Sequence, residues 1–185
     1  MLFRSVTSGL ILYLDAANNK SYPGTGTTWY DLSNNGNNAT IGSAVQFTNT
    51  LGGALSFSNS ATTANSTITG SISFSFTSWT YEIMILRTGA DLSDPTGIFG
   101  IIDASGVTSN GFRSAGSYTQ FGAGGSWVSV TLNNTVLTTL IHRTIVKNGT
   151  TMYQYNNGVL YSTDSIGAGT GTITTYAVNS NATFS

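Results

Sequence analysis

Cysteine is absent from the 185-residue sequence, and charge is scarce, with six Lys and Arg against seven Asp and Glu. Without Cys the fold holds no disulfide and no thiolate metal site, and the redox compartment is left open. The near-zero net charge, with basic residues scattered singly, excludes the basic surface that nucleic-acid binding needs. No apolar run approaches the roughly 18 residues that span a bilayer, so we expect no membrane insertion.

Helical periodicity is also missing, because no window keeps an apolar i, i+3, i+4, i+7 pattern over three turns. Short apolar-rich segments recur instead between Gly, Asn, Ser and Thr, and the many aromatic and branched residues suffice for a packed core. They predict strands near 10–14, 44–48, 54–58, 66–76, 79–87, 97–103, 117–121, 126–132, 138–147, 150–155, 158–162 and 172–178. The length suits a single all-β domain, 1–185.

Two regions of the sequence allow more specific predictions of local structure. The continuous apolar run 10–14, closed by Asp15, is typical of a strand buried on both faces. Residues 104–126 are the richest in Gly and Ser, and we place the longest surface loops there.

Two Asn-Gly pairs, Asn148-Gly149 and Asn157-Gly158, separate alternating apolar runs near the end of the sequence. Asn-Gly between such runs is a strong hairpin signal, because both residues tolerate a positive φ. The sequence therefore predicts two consecutive hairpins here.

The run from residue 9 to 42 resembles the opening of the concanavalin A-like, laminin-G-like jelly-roll domains found in tail-fibre, baseplate and other virion proteins of tailed bacteriophages. The matching positions are Gly9, Leu10, Tyr13, Asp15, Ser21, Tyr22, Pro23, Gly24, Trp29, Asp31, Leu32, Ser33, Gly36 and Asn37. Weaker matches are the stretch 52–57 and the turn formed by Tyr155, Asn157 and Gly158. The resemblance covers roughly residues 9–162 and implies a two-sheet antiparallel jelly-roll sandwich.

The end of the sequence departs from that family. After the predicted strand 172–178 the chain runs into Asn179-Ser180-Asn181 without the family's closing pattern. Either this C-terminal strand is divergent, or it is incomplete and leaves the sheet with an open edge, which would invite pairing with another chain.

Enzymatic activity is not expected. Glycosidases, which occur on concanavalin A-like folds, need two carboxylates about 5–10 Å apart. The only Glu, Glu82, has no acidic partner on its predicted strand, and the Asp residues lie beside turns, where capping is their commonest task. The only His, His142, lies in a β-run and would have to serve a triad or a zinc site alone. We predict no catalytic residue and no metal site, with a glycoside hydrolase as the minority alternative.

No cofactor is predicted, but calcium is left open, because laminin-G-like relatives often hold one. Asp15 with Asn18, or Asp31 with Asn34 and Asn35, offers the oxygen ligands that calcium prefers. Capping of turns is the competing task for the same side chains.

Glycan binding would use exposed aromatic faces beside amide or carboxylate groups. The candidates are Trp29, Tyr30, Asp31, Asn34, Tyr118, Gln120 and Trp127. The alternative for the two Trp side chains is a place in the hydrophobic core.

The resemblance implies a non-enzymatic virion protein of a tailed phage: a tail-fibre, baseplate or capsid-decoration subunit on the particle exterior. Such a subunit would display its lectin-like sandwich for attachment to the host surface. Its expected partners are other virion subunits, further copies of itself (a trimer by analogy) and host surface glycans. The alternative is a carbohydrate-binding lectin module outside a virion.

Overall fold

The computed structural model describes residues 8–57, 67–75, 77–87, 97–103, 110–114, 118–123, 126–131, 137–168 and 171–180. These residues form fourteen strands and one short 3₁₀ turn, Thr50–Gly52. The strands are β1 (Thr28–Trp29), β2 (Ala39–Ile41), β3 (Gln46–Thr48), β4 (Ala54–Ser56), β5 (Ile68–Ser75), β6 (Ser78–Arg87), β7 (Gly97–Asp103), β8 (Asn110–Ser114), β9 (Tyr118–Ala123), β10 (Ser126–Thr131), β11 (Leu137–Asn148), β12 (Thr151–Asn156), β13 (Val159–Ser165) and β14 (Thr172–Ser180).

The strands form a two-sheet antiparallel sandwich of the jelly-roll type, which confirms the predicted fold class. The larger sheet has the order β1-β2-β5-β14-β7-β8-β9-β10, and the smaller has the order β13-β12-β11-β6. Strands β3 and β4 pair separately as a short ribbon. Within the described residues no helix has the length and hydrophobicity needed to cross a bilayer.

The core lies between the two large sheets and follows from the period-2 alternation of their strands. Along β5, Ile68 and Ile72 are buried, whereas the intervening Thr69 and Ser71 are exposed. Ile145 from the smaller sheet joins these side chains in one hydrophobic cluster. The cluster therefore ties the two layers together.

One cross-strand row of the larger sheet is built around a glycine. Trp29 pairs with Ala39, Ala39 with Gly70, Gly70 with Tyr176, and Tyr176 with Ile101. The ring of Tyr176 is fully buried and lies over Gly70, where a Cβ would come within 2.5 Å of its Cε1. Only glycine leaves room for the ring at this place.

The smaller sheet buries a cation beside this core. Lys147 is 1% exposed, and its Nζ donates to the carbonyls of Thr77, Gly149 and Ala168 at 3.0, 2.6 and 2.8 Å. Burial lowers the pKa of Lys147. The ammonium group holds together three loop segments at this end of the sheet.

Both predicted hairpins are confirmed. β11 pairs with β12 around Gly149, which has φ +57°, and β12 pairs with β13 around Asn157 and Gly158, with φ of 51° and 78°. Two consecutive positive φ values are what a type I′ turn requires. The Asn157 Oδ1 also accepts a hydrogen bond from the N–H of His142 at 2.9 Å.

The prediction for the run 10–14 is wrong, because this run is not a strand and Tyr13 within it is 40% exposed. The region 104–126 contains β9, where a strand was predicted near 117–121, and also β8, which was not predicted. The remaining residues of that region, where long loops were predicted, lie outside the described part of the structure. Strand β14, whose ending was predicted to be divergent or incomplete, lies inside the larger sheet, paired with β5 on one side and β7 on the other.

Candidate functional site

The carboxylate of Asp31 is the centre of a hydrogen-bonded loop that follows β1. Its Oδ1 accepts from the N–H groups of Tyr13 and Ser33, both at 2.9 Å. Its Oδ2 lies 2.7 Å from Ser33 Oγ and accepts from the N–H of Asn37 at 3.0 Å. Burial raises the pKa of Asp31, but these hydrogen bonds outweigh burial and leave the pKa below its ordinary value of 3.8. The Asp31 carboxylate is therefore ionised, and hydrogen bonds from nearby donors already occupy its oxygens.

Side chains from the same loop hold the extended run 10–14 in place, where a strand was predicted. The Nδ2 of Asn35 donates to the carbonyl of Leu10 at 2.8 Å, and the Nδ2 of Asn37 donates to that of Ile11 at 2.8 Å. Ser33 Oγ also lies 3.0 Å from the Ile11 carbonyl. Because polar side chains satisfy this backbone, the run needs no neighbouring strand.

A second set of bonds fixes the start of the loop. Ser21 is fully buried, its Oγ donates to the carbonyl of Tyr30 at 2.6 Å, and it accepts from the N–H of Asp15 at 3.1 Å. Tyr176 reaches the loop from the core, where its hydroxyl donates to the carbonyl of Asn37 at 2.9 Å. Burial, with a smaller contribution from the Asp31 charge, raises the pKa of Tyr176. The loop is thus anchored to the centre of the larger sheet.

This anchored loop borders an open groove of about 540 Å³, which we call the loop groove. It is lined by Gly9, Leu10, Ile11, Ser33, Asn35, Asn37 and Ser73. The groove opens beside β5 because β2 pairs only with residues 68–70 of that strand. Its volume falls within the range of about 300–1,000 Å³ that is usual for small-molecule sites.

The loop groove presents uncharged hydrogen-bonding groups to solvent. The amide nitrogens of Asn35 and Asn37 are used by the backbone of the run 10–14, so their Oδ1 atoms remain as acceptors. Ser73, on the exposed side of β5, adds a hydroxyl. Such a surface can receive hydroxyl donors from a ligand, and its acceptors are already held in position.

Two tyrosines flank the Asp31 carboxylate. Tyr30 precedes it in the chain and is 47% exposed, and Tyr13 donates its N–H to it. The Tyr13 hydroxyl lies 3.4 Å from Asp15 Oδ2, and burial together with the Asp15 charge raises the pKa of Tyr13. Both tyrosines are thus partly exposed near the Asp31 loop, although neither lines the loop groove itself.

The first four predicted glycan-binding residues are neighbours in the chain, but their surroundings differ. Tyr30 and Asn34 are exposed, and Asn34 adopts a positive φ of 70°. Asp31 is occupied by its own loop, as described above. Trp29 is partly buried against the core, and its Nε1 is buried without a hydrogen-bond partner among the described residues. This is the core position that was the alternative for Trp29.

The other predicted residues lie in two paired strands, Tyr118 and Gln120 in β9 and Trp127 in β10. Their side chains lie outside the described part of the structure, so their role in glycan binding stays a prediction. Sequence reasoning missed Asn35, Asn37 and Ser73. A signal for the two Asn residues was available in the polar run 34–38, but nothing near Ser73 in the sequence indicated its place beside them.

The two residues considered for catalysis lie elsewhere, on the smaller sheet. His142 Nε2 is 3.4 Å from Glu82 Oε2, and both side chains are largely exposed. An exposed pair of this kind contributes little to stability. Throughout the described ranges, no group of three or more His, Cys, Asp or Glu side chains could hold a metal ion. The oxygens of Asp31 considered for calcium are taken by the loop's own donors.

Comparison with known proteins places the fold. The sequence matches no protein-family model and no curated protein. Among solved structures, the binding domain of botulinum neurotoxin serotype D is similar, with a TM-score of 0.61 and 13% identity over 84% of this chain and 42% of that chain. The binding domain of botulinum neurotoxin DC in complex with SialylT gives 0.60 and 13% over 94% and 44%.

The alginate lyase AlgAT5 of polysaccharide lyase family 7 aligns with a TM-score of 0.43 at 14% identity, over 91% of this chain and 79% of that chain. We draw no conclusion from a likeness this weak. The chain spans less than half the length of the neurotoxin domains. At these identities the likeness concerns the fold alone: the chain shares an all-β architecture with the neurotoxin domains.

Proposed function

We propose that this chain is a carbohydrate-binding, non-enzymatic module that uses the loop groove to attach to surface glycans. The observation that carries the proposal is the uncharged groove itself, in which Asn35 and Asn37 are fixed by their own hydrogen bonds. Sugars are recognised by hydroxyl groups that meet pre-placed acceptors and by apolar ring faces that stack on aromatic side chains. Tyr13, whose N–H binds Asp31, and Tyr30, which precedes Asp31 in the chain, are the exposed aromatic side chains that we propose for such stacking.

Rigidity supports this role. Ordering a loop on binding costs free energy, and a loop that is already held avoids that cost. Here Asp31, Ser21 and Tyr176 connect the loop to the run 10–14 and to the core. The fold likeness to neurotoxin binding domains adds support by analogy only.

The setting that we propose is the exterior of a tailed-phage particle, as a tail-fibre, baseplate or capsid-decoration subunit. Support comes from the sequence resemblance, whose matching residues include several that build the Asp31 loop: Tyr13, Ser21, Asp31, Ser33 and Asn37. The same module outside a virion is the alternative. Detection of the chain in purified particles by mass spectrometry would separate the two settings.

We also propose that copies of the chain associate with one another. Six exposed apolar side chains belong to the strands of the smaller sheet: Met84 and Leu86 on β6, Leu140 on β11, and Val159, Leu160 and Tyr161 on β13. Exposed apolar side chains favour contact with another chain, and the near-zero net charge gives little repulsion between copies. Light scattering after size exclusion should give an oligomer that Leu160→Asp dissociates and that Thr163→Asp, an exposed position on the same strand, leaves intact. A monomeric wild type would contradict the proposal.

Glycan binding is tested with an array of surface oligosaccharides, followed by calorimetry with the best ligand. We expect Ser73→Phe to fill the loop groove and weaken binding by about tenfold or more, a change of about 1.4 kcal/mol. Ser71→Phe is the matched control, because Ser71 is exposed two positions earlier on β5 and does not line the groove. Equal loss in both variants, or binding to no glycan by a folded wild type, would contradict the proposed function.

A further inference from the structure

We propose that the loop groove selects uncharged glycans and discriminates against sugars that carry a carboxylate, sulfate or other anionic group. The inference rests on the proposed function and narrows it to a ligand class. It follows from which hydrogen-bonding groups remain free in the groove and from the charge behind them.

The hydrogen-bonding groups of the groove are uncharged. The Nδ2 of Asn35 donates to the Leu10 and Ile11 carbonyls and to Ser33 Oγ, and the Nδ2 of Asn37 donates to the Ile11 carbonyl, so each amide already uses donor capacity within the protein and keeps an acceptor oxygen. A sugar hydroxyl can donate to such an oxygen, whereas a carboxylate can only accept. An anionic group seated here would lose hydration and meet only uncharged donors, such as the Ser73 hydroxyl.

No lining residue supplies a positive charge. The groove residues are glycine, aliphatic, Ser and Asn, without a Lys, Arg or His among them. Recognition of a carboxylate or sulfate normally uses the charged donors of Arg or Lys. The groove offers nothing equivalent among the described residues.

A fixed negative charge lies directly behind the lining. The Asp31 carboxylate accepts hydrogen bonds from Ser33 and Asn37, two residues of the groove wall. Its four donors keep it ionised, so an incoming anion meets like charge at short range. At the effective dielectric near a protein surface, such a repulsion weakens binding by about tenfold.

The test uses a glycan array that holds matched pairs of oligosaccharides, identical except for one sialic acid, uronate or sulfate group. We expect the wild type to bind neutral members and to bind their acidic counterparts about tenfold more weakly or less. Acidic members bound as well as or better than neutral ones would overturn the selectivity and leave the proposed function standing. A folded protein that binds no member would overturn both.

A variant pair locates the selectivity. Ser73→Arg places a cation on the groove wall, so it should raise binding of the acidic members and narrow the difference within each pair. Ser71→Arg adds the same charge outside the groove and should leave the difference unchanged. Equal narrowing by both variants would indicate a general effect of net charge and would overturn the assignment to the groove.

Discussion

Replacing Gly70 by Ala should destabilise the protein through Tyr176. The new Cβ would lie within 2.5 Å of Tyr176 Cε1, about 1 Å closer than ordinary carbon–carbon contact. The ring is 0% exposed and packed in the core, so it cannot move into solvent. Overpacking of this kind costs about 1–3 kcal/mol. A shifted ring also weakens the hydroxyl's bond to the Asn37 carbonyl, which contributes about 0.5–1.5 kcal/mol.

The total of roughly 1.5–4.5 kcal/mol corresponds to a fall in Tm of roughly 3–18 °C for a chain of this size. Thermal and urea unfolding monitored by circular dichroism would measure it. Ser71→Ala on the same strand, at an exposed position, should stay within about 0.5 kcal/mol of wild type.

A double-mutant cycle isolates the contact. In a Tyr176→Leu background the ring is absent, so Gly70→Ala should cost almost nothing, and its interaction energy with Tyr176 should account for most of the loss. If Gly70→Ala costs the same in both backgrounds, or leaves the wild type unchanged, the ring-over-glycine argument is refuted.

Three further predictions concern side chains that hold loops and turns. The pKa of Asp31 is lower in the folded than in the unfolded state, so the ionised carboxylate stabilises the fold. This stabilisation is complete above the unfolded pKa of 3.8 and is lost as the pH falls through the folded pKa. Asp31→Asn should therefore lower Tm at neutral pH and reduce the further loss of Tm on acidification. Lys147→Met leaves three carbonyls without their ammonium donor, at about 1.5–3 kcal/mol for a charged hydrogen bond, and should lower the urea midpoint without changing glycan affinity. Asn157→Ala should be more destabilising than Asn157→Gly by about 1 kcal/mol. Both variants lose the hydrogen bond to His142, but only Ala disfavours the φ of 51° at this position. Equal losses of stability in the two variants would show that turn strain is absent.

The sequence predicted the sandwich class, most long strands and both hairpins, because those features depend on local signals. β7 begins and ends at the predicted residues, 97 and 103, since a continuous apolar run there is bounded by turn residues. The Asn157-Gly158 turn was predictable because its backbone demands positive φ at both positions.

The failures share a dependence on distant partners. β8 contains Asn110-Gly111, a turn signal, yet it is a strand because β7 and β9 pair with it on both sides. β1 and β2 are two and three residues long, too short for any periodicity. The run 10–14 has the composition of a strand, but side chains 25 and 26 positions later donate hydrogen bonds to its carbonyls.

The same limit applies to the loop groove. The polar run 34–38 could be predicted to form a turn, and Trp29 was considered for the core as well as for a glycan. That the amides of Asn35 and Asn37 would donate to the backbone carbonyls of the run 10–14 while also lining the groove depends on contacts that no spacing rule encodes. Ser73 enters the groove only because β2 ends early along β5.

The central place of β14 bears on how the chain reaches its native state. Val178 pairs with Ile68, 110 positions earlier, and β14 is made after every other strand described. Until it inserts, β5 and β7 cannot be joined, and each exposes a row of unpaired amides to other nascent chains. Assembly dominated by such non-local pairing is slow. Synthesis of β14 should therefore be followed by a lag before this sheet acquires resistance to protease, during which added peptide copies of β14 could compete for the gap.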